Sequence, residues 1–171
     1  MKRKWMLLLV MIFGISVAQA QDETPITDEE LKKYALVMDF ADQEKLKLKE
    51  SYNAMIQAEE LMAGGKRFKE LKEAAGNEIK LAELKVTPEE LDVFNKIEAY
   101  NNENIATFKE AYTGKIKDKE QLGAGLYNRI NKALKSDDEL KTRYATILES
   151  VKSERAGLEE EEADDDSSEG Q

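Results

Sequence analysis

Gln43, Asn101 and Asn104, with Phe40 and Tyr100 beside them, are the side chains whose type and placement could build a site. They interrupt two apolar helical patterns at matching points. Asp42-Gln43-Glu44-Lys45 aligns with Asn102-Glu103-Asn104-Ile105, and Asn101 falls on the expected apolar stripe. Amides both donate and accept hydrogen bonds. Flanked by aromatic rings, they could line a polar ligand pocket or a partner groove halfway along a helical bundle. A solvated stretch, or a buried polar pair that fixes helix register, would leave the same pattern.

Beyond that belt the sequence offers little chemistry. It has no histidine and no cysteine, so the commonest general base, the thiol nucleophile and the soft metal ligands are missing. There is no G-x-S-x-G elbow, phosphate loop or dinucleotide fingerprint. Charged residues make up 36% of the chain, so no carboxylate pair stands out as an acid and base. The expectation is a non-enzymatic protein with no catalytic residues, no cofactor and no metal site.

What must position the belt is a pair of long helices. ITDEELKKY, from Ile26 to Tyr34, recurs sixty residues later as VTPEELDVF, from Val86 to Phe94. Thr27 with Glu30, and Thr87 with Glu90, read as capping boxes, each side chain satisfying a backbone N–H of the first turn. Pro88 suits the first helical position, and Asp28, Glu29 and Glu89 complement the helix dipole. At the same offset Val37 pairs with Ile97, Phe40 with Tyr100, Leu48 with Phe108, Tyr52 with Tyr112 and Ile56 with Ile116. After one deletion Phe68 and Leu71 match Tyr127 and Ile130. Type, order and spacing persist over the whole unit, which points to an internal duplication of a long-helix/short-helix hairpin.

The stripe of the first long helix is Leu31, Tyr34, Met38, Ala41, Leu48, Tyr52, Met55 and Met62, so a helix is expected from Thr27 to about Met62. Ala63-Gly64-Gly65 stops it. A short helix from Lys66 to Ala75 presents Phe68, Leu71 and Ala75, and a further turn or two carries Ile79, Leu81 and Leu84. The second long helix carries Leu91, Phe94, Ile97, Ile105, Phe108, Tyr112 and Ile116 up to Gly123-Ala124-Gly125, and Leu126, Tyr127, Ile130 and Leu134 form its short partner. Ser136 and Glu139 open a final helix with Leu140, Tyr144, Ile147, Val151 and Leu158. Nothing alternates with a strand period, so the expected fold is an all-α bundle. Its domain spans 21–158, with repeats at about 26–84 and 86–145 and a C-terminal helix extension.

The flanks set the address. Residues 1–20 run from a basic start through an apolar stretch, Trp5 to Val17, to Ala18-Gln19-Ala20, the plan of a secretory signal peptide cut before Gln21. That run is short for a ~20-residue membrane span, so no stable membrane anchor is expected after cleavage, and the mature protein belongs in the periplasm or outside the cell. Residues 1–20 carry three positive charges and no acid, so cleavage moves the formal charge from −10 to −13. Such acidity disfavours nucleic acid and anionic lipid and leaves a protein as the expected partner. Residues 159–171 are acidic with no large apolar side chain and read as a disordered tail.

The twice-used apolar-Thr-x-Glu-Glu-Leu start, the aromatic three residues on, and the Gly-rich turn before Phe68 or Tyr127 resemble an exported bacterial helical family, domain of unknown function 4168, over Ile26 to Arg143. That resemblance implies no activity, cofactor or site residues. Ile26-Thr27-Asp28-Glu29-Glu30 and Val86-Thr87-Pro88-Glu89-Glu90 also resemble the L-T-x-x-Q motif of Spy- and CpxP-type periplasmic chaperones, with glutamate for glutamine and isoleucine or valine for leucine. Three functions fit these signals: an envelope interaction or structural module, a holdase or stress adaptor of that type, and a small-ligand binder using the polar belt.

Overall fold

The computed structural model describes residues 24–166, and side chains as far as Leu158. The signal peptide expected at 1–20 and the last residues of the acidic tail, 167–171, lie outside the described residues. The fold is all-α, with no strand among the described residues. Its helices are α1 (Asp28–Ala58), α2 (Lys66–Ala74), α3 (Glu78–Glu83), α4 (Pro88–Lys117), α5 (Ala124–Ala133) and α6 (Asp138–Asp166), with a 3-10 segment at Glu60–Gly65.

Both capping boxes form. Thr27 Oγ1 accepts from Glu30 N at 3.2 Å while Thr27 N donates to Glu30 Oε2 at 3.0 Å; at Thr87 and Glu90 the distances are 3.1 and 2.8 Å. Helix α1 ends at Ala58, short of Met62, because Glu59 turns extended (φ −88, ψ 111) and the chain tightens into the 3-10 segment. Gly65 at φ +95 is where the chain needs glycine's freedom to open α2. Met62 is nonetheless fully buried.

Asp137, not Ser136, caps α6, its Oδ1 accepting from Leu140 N at 2.8 Å, as Asn77 Oδ1 accepts from Lys80 N at 3.1 Å for α3. The α6 backbone continues to Asp166, so the segment expected to be disordered from Glu159 begins as helix. Glutamate and alanine propagate a helix well, and extending an existing helix needs no new nucleus.

The chain runs α1 and α4 antiparallel: Tyr52 of α1 meets Glu98 of α4, and Lys115, near the end of α4, lies over the ring of Phe40. Helix α6 runs parallel to the first part of α1, with Arg143 against Asp28 and Arg155 against Asp39. Two separate cores result. One end gathers Leu31, Tyr34 and Val37 with Leu122, Ile130 and Leu140. The other gathers Ile56, Met62, Phe68, Leu71, Phe94 and Ile97. The short helix after each long helix packs on the start of the other long helix: α5 on α1, α2 on α4.

Matching positions in the two sequence units take matching places. Tyr34 lies 5.7 Å from Tyr127 between ring centres, and Phe94 lies 5.1 Å from Phe68. Tyr52 meets Phe68 edge-on at 5.8 Å, and the Tyr112 hydroxyl meets that of Tyr127.

Several expected core positions are not buried. Leu48, Ile105 and Phe108 are only half-buried, and Leu46, close to Leu48 on α1, is 49% exposed. Helices α2 and α5 each reach only one end of the α1–α4 pair, so the middle of the pair lacks a third layer. Leu91 is 37% exposed although its counterpart Leu31 is fully buried. On α2, Ala74 rather than Ala75 faces the core.

Candidate functional site

The antiparallel pairing decides what the polar belt can do. Matching positions on parallel helices would meet; on antiparallel ones they separate, except near the crossing. Phe40 stands level with Lys115, and Tyr100 follows Glu98, which is level with Tyr52. Twelve residues of α1 separate those levels, about 18 Å at 1.5 Å per residue. Phe40 and Tyr100 therefore do not flank one pocket. Gln43 and Asn104 lie closer to the crossing, half-buried like Asn101, while Tyr100 is 40% exposed. None of the three amides hydrogen-bonds through its side chain to another described residue.

Phe40 has a more definite setting. The Lys115 ammonium lies 4.5 Å from its ring centre, a cation–π contact, and donates to Gln121 Oε1 at 3.2 Å. Beside it opens a cleft of about 270 Å³ lined by Lys33, Leu36, Val37, Lys115, Glu120 and Gln121. Leu36 is 50% exposed at this cleft, an opening that suits an apolar side chain with an acidic neighbour.

The built polar clusters are elsewhere, at the two ends. At the α2 end, Arg67 Nε donates to Glu90 Oε1 at 2.6 Å and its Nη2 to Glu90 Oε2 at 3.0 Å, while Nη2 also reaches the Leu84 carbonyl at 3.1 Å. The Arg67 guanidinium, helped by the Thr87 backbone N–H, holds the Glu90 carboxyl at about 2, and Glu90 and Glu70 in turn raise Arg67. Next to it, Lys72 Nζ donates to the Tyr52 hydroxyl at 2.8 Å and to Glu98 at 3.0 Å, over the faces of Tyr52 and Phe68. Burial pushes Glu98 up, but hydrogen bonds from Tyr52 and Lys72 outweigh it and hold the carboxyl below its ordinary value. Both clusters are closed on themselves, and they tie α1, α2 and α4 together.

At the α5 end, Arg129 binds the capping Glu30 and donates to Thr24 Oγ1 at 3.1 Å, and Arg143 binds Asp28 and the Ile26 carbonyl. Asp39 is buried between α1 and α6; its Oδ2 accepts from Arg155 Nε at 2.9 Å and its Oδ1 has no partner. Sequence reasoning saw Glu30 and Glu90 only as caps. That each also anchors an arginine from a short helix is a result of how α2 and α5 pack, and it has no local signal.

Among the described residues no group of three acids could hold a metal ion, and no helix is long and apolar enough to cross a membrane. No protein-family model, curated protein or solved structure matches the chain.

Proposed function

We propose that this chain is an exported, non-enzymatic interaction module of the bacterial cell envelope, cleaved before Gln21, that binds a protein partner through the surface of α1 around Phe40. The observation that carries this reading is Leu36, half open at a cleft it shares with Lys33 and Lys115, beside the cation-capped ring of Phe40. A pocket with an apolar floor and a charged rim can seat one anchoring side chain, and such anchors supply most of the energy of an interface. The acid balance of the chain supports a protein partner over nucleic acid or anionic lipid.

The repeated unit is read as a duplicated helical hairpin, in keeping with the likeness to the exported domain of unknown function 4168. The spread of exposed large apolar residues over α1, the 3-10 segment, α3, α4 and α6 fits discrete contacts better than the broad apolar groove of a holdase, and Met38, Met55 and Met62 are buried or half-buried.

The test compares partner capture from envelope extract by the immobilised mature protein, by Leu36→Asp and by Leu46→Asp, a similarly exposed control. Species held by the parent and the control but lost with Leu36→Asp support the reading; identical capture by all three overturns it. Mass spectrometry of the exported protein tests the address, with a mature chain starting at Gln21 as the expected result.

A further inference from the structure

We propose that Tyr112 and Tyr127 form an oxidative cross-linking site, a pair of phenols that joins α4 covalently to α5 as an intramolecular dityrosine. Their hydroxyl oxygens lie 3.4 Å apart, and no other two phenols bring their hydroxyls into contact among the described residues. Both rings are half-buried, so an oxidant in solution reaches them, and coupling requires a turn of the rings that brings two ortho carbons together. The step needs one external co-reactant, a one-electron oxidant such as a photo-oxidised metal complex. Each phenol gives one electron and one proton to a one-electron oxidant, the two carbons ortho to oxygen join, and both rings regain aromaticity by moving the ortho hydrogens to oxygen. The product is lighter than the parent by two hydrogens, and two equivalents of oxidant are reduced.

The surroundings direct oxidation to this pair. Tyr144 lies 5.5 Å from Tyr34, Tyr34 lies 5.7 Å from Tyr127, and Phe108 stacks on Tyr112 at 5.8 Å between ring centres. An electron hole formed on any phenol of this chain of rings can pass between neighbours in contact. Tyr34 is 5% exposed and locked in the core, so it relays the hole and does not couple. Tryptophan occurs only at position 5, and cysteine and histidine are missing. From Gln21 onward tyrosine is therefore the side chain that gives up single electrons, and a disulfide is unavailable as a staple.

The other end of the molecule is a built-in control. Phe68 stands there in the place of Tyr127, and Tyr52, the counterpart of Tyr112, is held by Lys72 and Glu98 with no second phenol in reach.

The experiment treats the dilute mature protein with a photo-oxidised ruthenium complex and persulfate as electron acceptor, then reads dityrosine fluorescence at monomer mass and maps peptides. The expected product joins the tryptic peptide 110–115 to the peptide 120–129. It is lost in Tyr112→Phe and in Tyr127→Phe, each checked for helicity and melting, and kept in Tyr52→Phe and Tyr100→Phe. Two phenylalanine variants on different helices guard against one of them misfolding. Dityrosine confined to dimers, or a monomer product that survives in either folded phenylalanine variant at 112 or 127, overturns the proposal.

Discussion

The two ends of this molecule begin from the same plan and finish differently. Each places an aromatic residue from the start of a long helix against one from the other half's short helix, and each clamps a capping glutamate with an arginine. At the α5 end, the helix opened by Asp137 runs for 29 residues and covers α1, so Leu31 is sealed and Tyr144 joins Tyr34. At the α2 end, the helix opened by Asn77 stops after 6 residues, because the chain must turn, with Lys85 at φ +52, to enter α4. The α4 surface left open is polar. Where α1 has Ala35, α4 has Asn95, and Asp92 pairs within its own helix to Lys96 at 2.8 Å. Two long helices with similar starts thus end with unequal burial, and the length of the helix after α2 or α5 sets how much is buried.

The sharpest way to break this comparison is to truncate the same leucine at each end. Leu31→Ala removes a fully buried side chain and should cost about 2–5 kcal/mol. Leu91→Ala, at the matching position but open to solvent, should stay within about 1 kcal/mol. Urea unfolding monitored by helicity checks both. Equal losses would mean that Leu91 is covered in solution by something other than α6.

That contrast also marks what the sequence could tell. The helix starts were legible because capping is local: Thr27 and Glu30 need only each other. The heptad stripe was legible as far as each end, since Leu31, Tyr34, Phe94 and Ile97 are buried. The direction of α4 against α1 was not legible, because similar apolar patterns say that two helices are alike and nothing about how they cross. Phe40 and Tyr100 stand at different levels of the helix pair for that reason. Asp39 went unnoticed because its partner Arg155 lies 116 residues away, beyond any motif.

The second prediction concerns the arginine clamp at the α2 end. Glu90 titrates at about 2 in the fold against an ordinary value of 4.5. Its folded pKa is depressed, so its contribution is complete above about 4.5 and is lost as the pH falls through about 2. Glu90→Gln should cost about 1–3 kcal/mol at neutral pH, as expected for hydrogen bonds to a charged group, and should flatten the acid limb of stability between those two values. Denaturant midpoints measured across that window check it; an unchanged acid limb would show that Arg67 is not engaged.

The span between the two ends gives a smaller effect. Leu48 is half-buried, so Leu48→Ala should cost less than the 2 kcal/mol or more typical of a sealed leucine, about 1 kcal/mol. Phe108→Ala should cost more than Leu48→Ala, because the ring also stacks on Tyr112. Thermal melts of the two variants beside Leu31→Ala place the middle of the molecule on the same scale as its ends. A loss at Leu48 as large as at Leu31 would mean that a third layer covers the α1–α4 pair in solution.

The smallest effect separates the ends by charge alone. Lys32 of α1 reaches across to Glu154 of α6 at 3.0 Å, while Asp92, at the matching place on α4, pairs with Lys96 of its own helix at 2.8 Å. Both pairs are about half exposed or more, and exposed pairs contribute only about 0–1 kcal/mol. Lys32→Ala and Asp92→Ala should therefore both be nearly neutral in overall stability. They should differ in where the loss appears. Breaking the Lys32 pair loosens the attachment of α6, so amide exchange should quicken in α6 and in the facing turns of α1. Breaking the Asp92 pair should leave exchange at the α2 end unchanged. Added salt should erase the Lys32 effect, because screening already weakens such a pair in the parent. A Lys32 effect that persists in high salt would show that the lysine holds α6 by packing its aliphatic stem and not by its charge.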